Sequence, residues 1–185
     1  MESLQTPDRG VRLAVDLVNT RTRDPEKLLT AGDLRQFLLD HAEPEPVEVS
    51  DADLAEMIEV RERLRPVFGA EPAEAAGIVN ELLSEHAVRP YLSDHDGAPW
   101  HLHIARPDAG WAHWLAAAAA LGIAVFVAGH GFDALGRCAA TDCERVFANP
   151  AERRIRLFCT PTCASRTRVA SYRARRKGTT ERAPS

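Results

Sequence analysis

Cys138-Ala-Ala-Thr-Asp-Cys143 and Cys159-Thr-Pro-Thr-Cys163 hold all four cysteines of this 185-residue chain, and Tyr172-Arg-Ala-Arg-Arg-Lys177 follows them. Two close cysteine pairs are the usual sequence form of a structural zinc site. A loop of three or four residues lets both sulfurs of a pair converge on one ion at about 2.3 Å. Such an ion orders a segment too small to bury a core of its own. The competing readings are four buried or reactive thiols, or disulfides. Cys138–Cys143 reads as a knuckle, with Arg145-Val-Phe147 a short strand leaving it. Cys159 and Cys163, at i and i+4, suit the first turn of a helix with Thr160 or Thr162 as cap and Pro161 in that turn. The expected layout is treble-clef-like, with one Zn2+ per chain on Cys138, Cys143, Cys159 and Cys163.

From Cys163 a helix is expected to about Lys177. At about 100° per residue, Arg166, Arg173 and Lys177 share one row, Arg168 and Arg175 lie nearly opposite, and Arg176 falls between the rows beside Val169 and Tyr172. Two basic rows on one helix can reach phosphates on both sides of a groove; alternatively, one row is a solvated face. The charge balance points the same way. The whole chain carries a formal charge of −4, yet residues 137–178 hold eleven Arg or Lys against three Asp or Glu, and residues 1–136 hold eleven against twenty-three. An acidic body with a basic appendage suggests a nucleic-acid or anion-binding module.

Outward from that module, the body reads as helical. Residues 11–20 place Leu13, Leu17 and Thr20 on one helical stripe, although Val15 and Val18 leave a strand open. Asp24-Pro25 suits a helix start, Thr30–Asp33 a turn into a helix ending at His41, and Ser50 or Asp51 a cap for a helix to about Phe68. Arg61, Arg63 and Arg65 read as a solvated helix face. Pro72 fits the first position of a helix running to His86. Pro90–Ser93 and Trp100–Ala105, around Asp94–Gly97, suggest a β-hairpin. An alanine-rich helix then runs from Asp108 or Gly110 to about Gly129; it is expected to be a buried helix and not a membrane span. Trp100, Trp111 and Trp114 are expected in the core, and His101 and His103 to be satisfied or exposed and not metal ligands. The fold class is therefore mainly α (α+β): a regulatory body over 1–132, a zinc finger with a basic helix over 133–178, and a disordered tail over 179–185.

The chain resembles a known family at both ends. Cys-x4-Cys, Cys-x3-Cys and the arginine-rich segment resemble the CGNR-type zinc finger, and Leu13-Ala-Val-Asp-Leu-Val-Asn-Thr20 resembles the opening motif of the ABATE domain that precedes that finger. The family's Cys-Gly-Asn-Arg is here Cys163-Ala164-Ser165-Arg166, which keeps the ligand and the arginine only. The resemblance implies a bacterial, stress-related transcription regulator.

The expected function is thus DNA binding through Arg166, Arg168, Arg173, Arg175, Arg176 and Lys177, with a body that dimerises or senses a small-molecule effector. Phosphate attraction does not distinguish DNA from RNA, so RNA stays an alternative partner. Asp16, Asn19 and Thr20 are polar within an apolar motif; they line an effector pocket or, the more economical reading, brace the fold through hydrogen bonds. The rival function is a ligand-binding or enzymatic body with the finger as a structural or protein-docking or RNA-docking module. No phosphate loop, nucleophile elbow or paired carboxylates stand in a catalytic context, so no enzyme is expected. No signal peptide precedes the body, so a cytoplasmic protein with no membrane partner is expected.

Overall fold

A computed structural model describes residues 7–23, 25–86, 90–94, 100–104, 109–150 and 156–180. Among them are six α-helices: α1 Pro7–Val18, α2 Ala31–Asp40, α3 Asp51–Leu64, α4 Pro72–Glu85, α5 Trp111–His130 and α6 Pro161–Thr180. Two antiparallel hairpins complete the fold, β1 Tyr91–Ser93 with β2 His101–His103, and β3 Leu135–Arg137 with β4 Val146–Ala148. Most of the expected turn between β1 and β2, residues 95–97, lies outside the described residues.

Local chemistry sets the helix ends. Thr30 and Ser50 each accept from the backbone N–H three residues on, while Asp33 and Asp53 reach back to the cap, giving two reciprocal capping boxes. Pro66 diverts the end of α3 into a 3-10 turn over Arg65–Val67, so α3 stops short of the expected Phe68. Pro72 opens α4 as expected. No helix starts at Pro25, because the Glu26 carboxylate instead accepts from the backbone N–H of Lys27 and Leu28 and holds this stretch as a turn.

The core forms around α5. Its run of five consecutive alanines, Ala116–Ala120, is fully buried, as are Leu115 and Ile123. By length and composition this helix could cross a membrane, but its burial fits the core helix of a soluble protein. α1 lies against it, and the two backbones meet at Gly10 and Gly122. A Cβ on Gly10 would fall 2.3 Å from the Ala118 carbonyl oxygen, and one on Gly122 would fall 2.5 Å from Gly10 Cα. Residues 11–18 are therefore helix, and the strand alternative is excluded.

Two side chains depart from expectation. Arg61 is only 1% exposed and is no part of a solvated face. Its guanidinium makes a fork with Glu26 at 2.7 and 2.8 Å and donates to Thr20 Oγ1 at 3.0 Å and to Glu62 at 3.1 Å. Burial alone would raise the Glu26 pKa, but the bonds from Arg61 and from the Leu28 and Lys27 amides hold it below the ordinary carboxylate value. Trp100 is 69% exposed, whereas Trp114 is core and Trp111 is partly buried with its indole N–H on the Glu48 carbonyl. Trp100 immediately precedes the three-residue strand β2, which cannot supply cover on both faces.

The finger is built into the same core. Alternation along β4 sends Val146 into the helical core and Phe147 into a second small cluster with Cys138, Ala140, Cys159 and Cys163. Across the hairpin Gly136 faces Phe147, and the ring covers the place where a side chain would stand, 2.8 Å from an added Cβ. The final helix reaches Thr180, three residues past Lys177, so 179 and 180 are helical; residues 181–185 lie outside the described residues.

Candidate metal centre and basic helix

The four sulfurs lie within 4.8 Å of one another. Cys143 Sγ and Cys163 Sγ each stand 3.6 Å from Cys159 Sγ. Four ligands at about 2.3 Å from one ion in a tetrahedron stand about 3.8 Å apart, so the spacing is that of a zinc cage. Backbone bonds shape both halves. In the knuckle, Cys138 N–H donates to Arg145 O at 2.9 Å and Cys143 N–H to Ala140 O at 3.0 Å. Ala139 N–H donates to Leu157 O at 2.8 Å, which ties the knuckle to the segment entering the second pair. Thr160 Oγ1 accepts from Cys163 N–H at 3.2 Å and caps α6, so the last ligand sits in the helix's first turn.

The electrostatics agree with a closed metal site. Cys159 N–H donates to Cys138 Sγ at 3.4 Å, and Arg166 approaches Cys163 Sγ at 3.9 Å. Burial and the neighbouring sulfurs push Cys159 up to about 12, while the Thr160 hydrogen bond leads in bringing Cys163 down to about 7. Sulfurs this close cannot all carry charge unaided, and a divalent cation removes that conflict. All four cysteines are free of disulfides, which removes that alternative. The cage fits one Zn2+ per chain, as expected.

Arg156 belongs to this centre and was not singled out by spacing. It donates to the carbonyls of Phe158, at 2.7 Å, and Cys159, and its guanidinium lies 5.1 Å from the Phe147 ring centroid. Its carbonyl partners lie only two and three residues on, but cysteine spacing alone does not mark a side chain that braces them.

Beyond the cage α6 is a bare arm. Every described side chain from Arg168 to Arg176 is exposed, including Val169 and Tyr172. Arg166 pairs with Asp142 of the knuckle at 3.7 Å, Arg168 bonds the Ala164 carbonyl at 3.3 Å, and Arg176 lies over Tyr172. Arg173 and Arg175 lie on the same exposed stretch, and the Lys177 side chain is outside the described residues.

Asp16, Asn19 and Thr20 are not gathered around one space. Asp16 is exposed and bonds His41 Nε2 at 3.1 Å. Thr20 donates to the Leu17 carbonyl at 2.7 Å and accepts from Arg61. Asn19 is buried and makes a two-sided clip to β4, accepting from Val146 N–H at 2.9 Å and donating to Val146 O at 3.0 Å. The opening motif of the body thereby grips the finger. Arg137 does the same from the other side, donating to the carbonyls of Phe68 and Arg65.

Comparison with known families gives two matches in the expected order. Residues 11–130 match the ABATE family, described as a putative stress-induced transcription regulator, and residues 134–176 match the CGNR zinc finger. A search of curated proteins returns no match. With the helical body, the clip at Asn19 and the four-sulfur cage all within the matched ranges, this chain belongs to the ABATE family and carries its CGNR-type zinc finger.

Proposed function

We propose that the protein is a zinc-dependent, DNA-binding transcription regulator in which α6 lies against the nucleic acid. The observation that carries this reading is the exposed basic arm. Six cations, Arg166 to Lys177, stand on a helix whose first turn contains a zinc ligand, so the metal fixes the arm's direction. A 20-residue helix spans about 30 Å, enough to follow a groove across most of a turn of duplex. The acidic body keeps its own surface off the phosphates, and a second copy of the chain would supply a second half-site. RNA remains the alternative nucleic acid.

The test is a titration of duplex DNA at several salt concentrations. If all six cations meet phosphates, log K falls with log salt at a slope near about −5. Neutralising Arg168, Arg173, Arg175 and Arg176 to Gln should flatten the slope by about 3 to 4 and leave the zinc content unchanged. Undiminished binding by that variant would refute the reading.

A second reading, an effector-binding body, has one observation in its favour. A cleft of about 340 Å³ at the seam is lined by Arg21, Thr22, Glu62, Arg65, Arg137 and Glu144. Three arginines in one cleft suit a small carboxylate or phosphate, and Arg137 is also a body–finger anchor. Thermal-shift screening of small anions against the full chain and Arg21→Gln checks it: a stabilisation that the variant abolishes supports an effector site.

A further inference from the structure

Past the cage, α6 carries two large uncharged side chains that neither the core nor the cationic rows account for. Val169 is 48% exposed and Tyr172 is 55% exposed, on an arm whose described side chains from Arg168 to Arg176 are all exposed. A single apolar residue in water needs no explanation, but these two stand at i and i+3 and so share one face. Arg176, one turn beyond Tyr172, lies over its ring at 5.9 Å from the centroid, so the phenol is already held in place before any partner arrives.

At about 100° per residue, Val169 and Tyr172 lie about 60° apart around the helix, with Arg176 between them. Arg166 and Arg173 fall about 40–60° beyond Val169, and Arg168 and Arg175 fall about 40–60° beyond Tyr172 on the other side. The face is therefore a narrow stripe with an arginine row on each flank. The opposite face holds Thr167, Ala170, Ser171 and Ala174, which are small and uncharged. A duplex groove has the complementary cross-section, with base edges on its floor and a row of phosphates along each wall. A second copy of α6 does not. Packing stripe against stripe would bring the arginine rows of both helices together, like charge against like. Along the axis Val169 and Tyr172 are about 4.5 Å apart, close to the roughly 3.4 Å step between base pairs, so they address neighbouring pairs.

Resting on the reading of α6 as the DNA-binding arm, we infer that Val169 and Tyr172 read bases in the major groove while the arginine rows on either side hold phosphates. The major groove is the one that admits a helix, and there all four base pairs present different edges. Val169 offers only methyl groups, and the methyl group on a base edge in that groove is thymine's. The Tyr172 hydroxyl both donates and accepts, which suits adenine, whose N7 accepts and whose N6 amino group donates on one edge. The preferred site therefore has A·T pairs at adjacent steps beneath the two side chains. Cations on phosphates bind any sequence. The two uncharged side chains between them supply the discrimination.

The experiment uses the zinc-loaded full chain. Selection from a random duplex pool yields an enriched sequence, and fluorescence anisotropy at one fixed salt compares it with a scrambled duplex of the same composition. The wild type should prefer the enriched duplex by at least about tenfold. Val169→Ala and Tyr172→Ala should each cut that preference about five- to tenfold, with affinity for the scrambled duplex, salt slope and zinc content unchanged. Replacing the thymines of the enriched duplex by deoxyuridine removes their methyl groups; the wild type should then bind less tightly, and Val169→Ala should be indifferent to the change. A preference that is absent in the wild type, or unchanged in both variants, overturns the inference while leaving the arm a DNA binder. Equal losses on the two duplexes overturn it as well, because the residues then serve general binding and not discrimination. Failure of the wild type to retain any duplex refutes the DNA-binding reading and this inference with it. A dimer that Tyr172→Ala dissociates in sedimentation, with discrimination intact, gives the stripe to a second copy instead.

Discussion

Arg61 is a cation held in the core by geometry that only guanidinium offers. It forks onto Glu26 and donates to Thr20, linking α3 to the turn after α1. Removing the guanidinium leaves Glu26 and the Thr20 hydroxyl without their partner. Arg61→Ala should therefore cost about 3–5 kcal/mol in urea unfolding, and Arg61→Lys should recover little because an ammonium cannot bond bidentately. His41 gives a smaller, pH-dependent effect. Burial lowers its pKa, but the Asp16 hydrogen bond, the Phe37 carbonyl and the charges of Asp16 and Asp40 outweigh that and leave it raised above 6.5. The charged pair therefore stabilises fully below the unfolded pKa of about 6.5 and is lost as pH rises through the higher folded value. Asp16 is half exposed, so the contribution is about 0.5–1 kcal/mol. The stability difference between wild type and Asp16→Asn, measured by urea unfolding from pH 5 to 8.5, should shrink as pH rises. A difference that is flat or grows would mean that His41 is not charged in the fold.

At the scale of elements, the crossing of α1 and α5 is set by two absent side chains. A methyl on Gly122 would meet the Gly10 backbone at 2.5 Å, and neither backbone can yield without parting the helices. Gly122→Ala, although it raises helix propensity, should destabilise by about 1–3 kcal/mol or more, read as a lower urea midpoint, whereas Gly129→Ala, with open space around it, should be neutral or mildly stabilising. These elements also show which parts of the fold the sequence made legible. The turn at Thr30–Asp33, the cap at Ser50, Pro72, the alanine-rich helix and the paired cysteines are local signals, and the sequence places each within a few residues. The first helix was ambiguous because Val15 and Val18 suit both a strand and a helix. Arg61 was misread because its partner Glu26 is 35 residues away, and no window contains both. The candidate site divided the same way: the cage ligands follow from spacing, while the Asn19 clip and the His86–His113 contact exist only once distant segments meet.

For the whole molecule, the body and the finger share a seam, and the four-cysteine cage sits on one side of it. Val146 packs with the helices and Phe147 packs with the cage, on adjacent positions of one three-residue strand. Asn19 holds that strand by both polar groups of the Val146 backbone, 127 residues away in sequence. So short a strand cannot keep its place unaided. The seam therefore couples the stability of the body to the metal. Asn19→Ala leaves a buried N–H and C=O unpaired and should cost about 2–3 kcal/mol in the zinc-loaded protein. Stripping the zinc with a strong chelator frees the cage half of the hairpin, so the same substitution should then cost markedly less. Hydrogen exchange resolves where this occurs: chelation should expose the Val146 amide and the end of α1 while the α4–α5 packing stays protected. If Asn19→Ala costs the same with and without zinc, the finger is an independent appendage. If its cost collapses on chelation, a change at the metal is felt in the body, and a ligand held by the body can be felt along α6.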